Sequence, residues 1–268
     1  MRLRMKAAGI VLAILLNALL CSAQTNPPPG PAEEEVRDES DPTRSVFFSV
    51  RNEYFNLNDE AWTNALILRS DRVFLRKRRR LGGKLGILTR FDVPMVTTGV
   101  SGTTHAGLGD LYGQALYVPW LTPGFAVAVG SGLTFPTATH RSLGGGKWRV
   151  APVVAPIWFF PKRKGFFLVR LHQFVSFAGD PDRPDSNHLL TTPTLVYRVR
   201  PRWWILLDTE MKTDWERDNH LSFRTGFQVG HVVTPRLAIA VKPEIAWGGH
   251  REGDWALKTL FTWYRRRN

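Results

Sequence analysis

The sequence predicts an all-β fold, a closed antiparallel transmembrane β-barrel of about 12 strands. Three observations predict it. Apolar residues alternate with polar ones along most of the chain, tight turns alternate with longer loops, and the N-terminus has the pattern of an export signal. The chain has 268 residues and a formal net charge of +13, a length that suits one such domain and a charge that favours anionic partners.

Residues 1–23 have the three parts of a secretory signal peptide. Basic residues precede an apolar run over 7–20, and small residues up to Ala23 form a cleavage site. The run is shorter than the ~20 residues that a membrane-spanning helix needs, which disfavours a membrane anchor. Lipidation at Cys21 is a lesser alternative, because Leu20 precedes it where a small residue is usual. We expect cleavage after Ala23, which removes the only cysteine and leaves no disulfide.

Residues 24–43, QTNPPPGPAEEEVRDESDPT, are rich in proline and acid and contain almost no apolar side chains. Such a segment cannot bury enough apolar surface to offset the entropy lost on ordering it, so we expect a disordered leader. No further break in composition appears from residue 44 to residue 268. We therefore assign 44–268 to one outer-membrane barrel domain.

The barrel domain alternates with a period of two rather than the 3.6 residues of a helix. Trp203, Ile205 and Leu207, for example, alternate with a polar face that contains Asp208 and Glu210. Each such segment is near the ~9–11 residues with which a tilted strand crosses a bilayer. The predicted strands are 45–56, 62–75, 84–96, 109–119, 125–135, 148–160, 166–178, 189–199, 203–213, 221–232, 237–247 and 256–264.

The connections between these strands fall into two alternating classes. Tight, mostly basic turns occupy every second connection: KRRRLGG, WLTPG, PKRKG, RPR and TPR. The intervening connections are mostly longer and richer in Gly, Ser, Asp and His: TTGVSGTTHAG, TATHRSLGGGK, GDPDRPDSNH, DWERDNH and GGHREGD. This parity is typical of an even-stranded outer-membrane barrel with short periplasmic turns and longer extracellular loops. A soluble β-sandwich, the alternative, explains the two faces but not the parity.

The two faces of the strands fit a barrel in lipid. Every backbone polar group must be paired in a bilayer, so a spanning sheet closes and turns its apolar face outward. Most strand charges lie on the opposite face, which predicts a polar lumen. The residues expected to line it are Arg90, Asp92, Arg170, His172, Asp208, Glu210, Arg224, Lys242, Glu244 and Lys258. Tryptophans near strand ends predict two interfacial girdles: Trp62, Trp120, Trp148, Trp158, Trp203, Trp247, Trp255 and Trp263.

Two features fit a barrel less well. Prolines inside predicted strands each remove a ladder hydrogen bond, so we expect bulges or displaced strand ends at Pro152, Pro156, Pro193 and Pro243. The chain also finishes in LFTWYRRRN rather than on a terminal aromatic residue. We expect Phe261 and Trp263 to provide the signal for the barrel-assembly machinery.

The central part of the chain carries motif-like stretches. TTGVSGTTHAGLGDLYGQALYVP is followed by GSGLTFPTATHRSLGGGKWRVAPVVAPIW, and GILTRFDVPMV lies just upstream. Together they resemble the outer-membrane barrel family of transporters of the meta-cleavage pathway of phenol degradation, and the resemblance covers most of residues 62–264. The residues that carry it lie where strands begin and end: Gly107, Gly109, Asp110, Pro136, Gly146 and Trp148.

These motif residues suit corners where loops meet strands. Glycine permits positive φ and close approach, and the Asp110 carboxylate can accept hydrogen bonds from backbone amides. A structural corner explains the motif better than a ligand site does. The LGGGK stretch lacks the G-x-x-x-x-G-K-[ST] spacing of a phosphate-binding loop, so no nucleotide is expected.

The sequence and the resemblance together predict an outer-membrane channel or uptake protein for a small solute, and the family implies an aromatic or hydrophobic one. The alternatives are an outer-membrane hydrolase with a loop-borne active site and a closed structural barrel. No G-x-S-x-G or H-E-x-x-H pattern occurs, so we expect no catalytic residue, no metal and no cofactor. The basic turns gather at one rim, where the expected partner is outer-membrane lipid rather than nucleic acid.

Overall fold

The computed structural model describes residues 47–58, 60–77, 84–100 and 102–264. No helix in this part of the chain is long and apolar enough to span a bilayer. The predicted signal peptide, the predicted leader, most of the first basic turn and the C-terminal arginines lie outside the described residues. The strands are β1 (Phe47–Asn56), β2 (Trp62–Lys77), β3 (Lys84–Val100), β4 (Thr103–Leu108), β5 (Leu111–Leu121), β6 (Phe125–Phe135), β7 (Lys147–Phe159), β8 (Gly165–Gly179), β9 (Asn187–Arg200), β10 (Trp203–Asp214), β11 (His220–Thr234), β12 (Leu237–Trp247) and β13 (Trp255–Tyr264).

The described strands form one antiparallel sheet that closes on itself. Its order is β2-β1-β13-β12-β11-β10-β9-β8-β7-β6-β5-β3-β4, and β2 also pairs with β3. β4 and β5 pair with successive stretches of the same edge of β3, at 95–100 and 86–92, so they share one position in the barrel wall. The thirteen strands therefore fill twelve positions, and the predicted closed antiparallel barrel is confirmed.

The connections lie at the two ends of the barrel according to class. Tight connections define the short-turn end: 122–124, 160–164, 201–202 and 235–236. The other connections define the long-loop end: 57–61, 136–146, 180–186, 215–219 and 248–254, with the segment around β4. Because every strand other than β4 and β5 runs from one end to the other, and these two together fill one position, the place of a residue along the wall gives its depth in the barrel.

The outward face is apolar between two aromatic bands. Large apolar side chains such as Leu207 and Ile245 are exposed on it, at 47% and 66%. The long-loop band contains Trp62, Trp148, Trp247 and Trp255, and the short-turn band contains Trp120, Trp158, Trp203 and Trp263. Rings on neighbouring strands touch within each band, as Tyr54 and Trp62 do with centroids 6.2 Å apart. The bands lie where amphipathic aromatic rings meet lipid headgroups in membrane barrels.

The four strand prolines at which we expected bulges or displaced ends do not produce them. Each keeps its register with one neighbouring strand, while the ladder on its other side skips the proline and resumes unchanged. Pro243 pairs with Leu257 of β13, and on the β11 side the pairs at Glu244 and Val241 keep one register across it. The register shifts lie nearer strand ends, and one of them, between Tyr117 and Trp120, includes another strand proline, Pro119. Each of the four prolines therefore loses one ladder bond locally, and the flanking pairs preserve the alignment.

The two classes of connection predict the sidedness of the barrel. Longer loops of outer-membrane barrels face the cell exterior. A Ser142→Cys variant should therefore react with a membrane-impermeant thiol reagent on whole cells, whereas Lys164→Cys should react only after the outer membrane is permeabilised. Both positions are exposed, so accessibility does not differ between them. Labelling of Lys164→Cys alone on intact cells would show that the barrel is inserted the other way round.

Candidate functional site

The lumen is largely apolar in its short-turn half, where the buried pair of Ser49 and Thr262 is a polar exception. Inward side chains there are only 0–8% exposed and pack into one layer, which we call the apolar septum: Leu88, Leu116, Val118, Ala126, Ala128, Val153, Ala155, Ile157, Phe159, Phe166, Leu168, Val196, Trp204, Leu206, Val232, Ala238, Ala240 and Leu260. The expectation of a polar inward face is wrong for this half. A small barrel has an interior that side chains can fill, and here apolar ones fill it.

Close packing within the septum depends on small residues opposite large ones. Trp204 of β10 lies directly across from Gly230 of β11, and a Cβ added to Gly230 would overlap the Trp204 indole. Phe159 and Phe166 meet edge to face across the β7–β8 turn, with ring centroids 6.3 Å apart. A filled apolar layer of this kind leaves little room for water, because interiors pack at crystal-like density.

Above the septum, toward the long loops, crossed ion pairs join β2 and β3. Arg69 donates to both carboxylate oxygens of Asp92 at 2.7 Å, and Arg90 donates to both of Asp71 at 2.9 and 2.8 Å. The register explains the pairing, since Arg69 lies opposite Asp92 and Asp71 lies opposite Arg90. Two-point guanidinium–carboxylate contacts fix geometry as well as charge.

A second ionic cluster spans β10, β12, β13 and β1. Lys242 and Lys258 are direct cross-strand partners, and Glu244 bridges them with one oxygen 2.9 Å from each ammonium nitrogen. Lys242 also contacts Asp208 at 2.6 Å, while Lys258 lies 4.0 Å from Glu53. Two like charges facing each other would repel, so the bridging carboxylate is what allows both lysines to point into the lumen.

A cavity of about 310 Å³ lies between the septum and these ion pairs. Of the residues predicted from the sequence, it is bordered by Arg90, Arg170, Asp208, Glu210, Arg224, Lys242, Glu244 and Lys258. Asp92 stands behind Arg69, and the Nε2 of the buried His172 lies 3.3 Å from the Tyr112 hydroxyl. No group of three or more metal-ligating side chains comes together within the described ranges.

Several cavity residues were not singled out by their sequence pattern. Gln114 and Gln228 are uncharged residues on the inward faces of β5 and β11, and the prediction of lumen residues selected charged side chains and one histidine. Tyr112 accepts a hydrogen bond from the Gln114 amide at 3.0 Å, and its ring occupies the space beside Gly132. A glycine inside a predicted strand, here Gly132, is the local signal that could have indicated close approach of another side chain.

The family-motif residues form a corner at the long-loop end. The carboxylate of Asp110 accepts the amide hydrogens of Ala138 at 3.2 Å and Gly145 at 2.7 Å, so it joins the β4–β5 corner to the 136–146 loop. Asp110 thus fixes a neighbouring loop rather than its own turn. Pro136 directly follows β6 at the start of that loop, and the Trp148 ring packs edge to face on Phe135 with centroids 5.3 Å apart.

The motif glycines serve different purposes. Gly146 has a positive φ of 67°, as a left-handed position in a loop requires, but Gly107 and Gly109 do not. A Cβ on Gly109 would lie 2.8 Å from the Val96 side chain, and one on Gly107 would overlap the Thr139 hydroxyl. For these two glycines the requirement is close approach, whereas at Gly146 it is backbone conformation.

The fold and this lumen define the class of protein as an outer-membrane β-barrel. An outer-membrane channel from Pseudomonas putida F1 matches it with a TM-score of 0.70 at 14% identity, over 89% of this chain and 100% of that chain. The NanC and KdgM porins match with TM-scores of 0.52 and 0.53 at 12% and 10% identity, each over 82% of this chain and 100% of the porin. These similarities establish the fold alone.

The chain belongs to the family described as "Putative MetA-pathway of phenol degradation", whose sequence model matches residues 63–248. The match covers most of the barrel and confirms the family resemblance of the central motifs. A comparison with curated protein sequences gives no match.

The corner should lose order when its carboxylate is removed. Asp110→Ala deletes the acceptor of two backbone amides, each charge-assisted bond being worth about 1.5–3 kcal/mol. We expect trypsin to cleave the variant faster after Arg141, which lies in the released loop. Asp182→Ala is the matched control, because its exposed side chain holds no loop in place. Equal cleavage of the two variants would contradict a structural role for Asp110.

The crossed ion pairs should contribute strongly to stability. Asp71→Asn leaves the Arg90 guanidinium buried without its carboxylate, and removing one partner of a buried pair costs about 3–5 kcal/mol. We expect a correspondingly lower free energy of unfolding in denaturant, followed by heat-modifiable gel mobility.

The control for that variant is a surface pair. Arg251 and Asp254 lie 3.4 Å apart in the 248–254 loop, and their side chains are 51% and 44% exposed. Because solvent screens such a pair, Asp254→Asn should unfold like the unmodified protein. If both variants unfold alike, the lumen pairs do not stabilise the barrel.

Proposed function

We propose that this protein is an outer-membrane uptake channel for small hydrophobic or aromatic solutes, exported through the predicted signal peptide and cleaved after Ala23. The observation that carries the proposal is the apolar septum across the short-turn half of the lumen. Hydrophobic constrictions exclude water and therefore ions, whereas an apolar molecule loses little on entering one. The ordered charges above the septum give the same lumen a polar mouth.

The family supports the choice of solute. Its description refers to phenol degradation, which suggests aromatic compounds, although the fold by itself supports many functions. Both porins that share the fold are transport proteins by name, which agrees with a passive conduit. The arginines and lysines of the cavity wall lie directly above the apolar septum. They would therefore orient a solute that carries one polar group.

Transport accounts for the structure better than hydrolysis does. Two serine–histidine contacts occur near the long loops: His140 Nδ1 lies 2.8 Å from Ser142 Oγ, and His188 Nδ1 lies 3.1 Å from Ser186 Oγ. A catalytic histidine is ordinarily oriented by a carboxylate. Among the residues that the structure describes, neither histidine forms an ion pair with one.

Solute entry into proteoliposomes with a lipopolysaccharide outer leaflet tests the proposal. The protein should accelerate entry of N-phenylnaphthylamine, a neutral aromatic probe that fluoresces in apolar surroundings, while conducting few ions in a planar bilayer. Both results follow from a lumen closed by apolar side chains. A closed structural barrel would leave probe entry at the rate of empty liposomes.

Adjacent tryptophans provide a matched pair of variants. Trp204 points into the septum and is 4% exposed, whereas Trp203 belongs to the outward short-turn band. Trp204→Ala should open a gap in the septum and raise ion conductance, and Trp203→Ala should not. Heat-modifiable gel mobility confirms that both variants are folded. Equal conductance of the two folded variants would show that the septum is not the barrier to ions.

A further inference from the structure

Arg170 of β8 is unlike the other inward cations of the cavity wall. Arg69 and Arg90 are each engaged by an aspartate, and Lys242 and Lys258 share Glu244. Arg170 makes no ion pair and no side-chain hydrogen bond with any residue that the structure describes, although it borders the cavity. A guanidinium in a low-dielectric site is costly without a partner, so this position favours binding of an anion.

The charges around the cavity leave room for one negative group. Seven cations border it, namely Arg51, Arg69, Arg90, Arg170, Arg224, Lys242 and Lys258, against four acids, namely Glu53, Asp208, Glu210 and Glu244. Asp71 and Asp92, which pair with Arg90 and Arg69 from behind, bring the acids to six. Among the residues that the structure describes, the cations around the cavity thus exceed the acids by one, which suits a monoanion better than a dianion.

The excess lies among Arg170, Arg224 and Glu210, because the other cations of the wall are matched by the other acids. Glu210 is the direct cross-strand partner of Arg224, which leaves Arg170 as the cation without an acid opposite it. Thr192 is the cross-strand partner of Arg170 on β9, is 3% exposed and borders the cavity. Arg224 is held by the Glu252 carbonyl at 2.8 Å and the Phe55 ring at 4.9 Å, without a carboxylate contact in the described structure. An anion at Arg170 would thus meet a guanidinium and a hydroxyl donor on one side of the lumen.

The base of the same cavity is apolar. It is lined by septum side chains, among them Leu88, Leu116, Leu168 and Leu206. The volume of about 310 Å³ is at the lower end of what small-molecule sites occupy, roughly 300–1,000 Å³. A ligand that fits both surfaces has one anionic head and a small hydrocarbon body.

We propose that the lumen contains a binding site for an amphipathic organic monoanion, with its carboxylate on Arg170 and its hydrocarbon part on the apolar septum. This inference rests on the proposed function and narrows the solute class from hydrophobic molecules in general to small monocarboxylic acids. The site lies directly above the septum, so a bound acid occupies the last polar position before the apolar layer.

Calorimetric titration of the protein in nanodiscs tests the site, with benzoate as probe and benzyl alcohol as its neutral counterpart. Benzoate should bind the unmodified protein more tightly than benzyl alcohol. Arg170→Gln should weaken benzoate binding by about 10- to 100-fold, the range for losing one charged hydrogen bond, and leave benzyl alcohol binding unchanged. Arg170 forms no ion pair with a described residue, so its removal leaves no buried acid without a partner and the variant should fold. Arg170→Lys should recover part of the affinity.

Arg236→Gln is the matched control, since it removes the same charge from the exposed short-turn end. It should leave benzoate affinity unchanged. Equal affinity in Arg170→Gln and Arg236→Gln, or benzoate binding no tighter than benzyl alcohol, would overturn the site. If the site fails while the neutral probe still enters proteoliposomes, the transport proposal stands; if benzoate binds through Arg170 while the neutral probe does not enter, transport fails and the site stands.

Discussion

Closure of the sheet is the constraint on which the rest of this structure depends. A bilayer offers no hydrogen-bond partner to a free backbone group, so each strand needs a neighbour on both edges. The β1–β13 and β2–β3 pairings complete that circuit. The four prolines that we expected to distort strands are accommodated within it because each interrupts the ladder on one side only, while pairs before and after keep the alignment. Closure fixes register all round the wall, and register then decides which side chains meet inside.

A closed wall of twelve positions leaves a narrow interior that side chains must fill. The short-turn half is filled by apolar residues and the middle by paired charges, and the two arrangements support each other. Apolar packing lowers the local dielectric, which strengthens the ion pairs above it, and the pairs neutralise charges that could not otherwise be kept beside an apolar layer. The lumen is therefore polar toward the long-loop end, where solute would enter, and apolar in the short-turn half, where the septum excludes water.

At the long-loop end of the barrel, one side chain fixes the position of a neighbouring loop. The β4–β5 corner divides a strand that would otherwise run straight along β3, and Asp110 at that corner holds the 136–146 loop through two backbone amides. Gly107 and Gly109 allow the loop to approach the corner closely. The motif shared with the family thus fixes the position of a loop. The candidate ligand contacts lie deeper, on the barrel wall.

Local patterns in the sequence determined twelve of the thirteen strands, the alternation of turns and loops, the tryptophan bands and the inward charges, because a period of two and turn chemistry are short-range properties. β4 is the exception, since it lies in a segment that we expected to be a loop. Tertiary structure alone decided the rest. Alternation cannot separate the two faces where both are apolar, so it could not reveal Trp204 and Leu206 as septum residues. Three features depend on register between strands: which carboxylate meets Arg69, why Asp110 binds amides 28 and 35 residues away, and why Arg170 forms no ion pair with a described residue. Register is a property of the closed sheet as a whole, and no single stretch of the chain contains it.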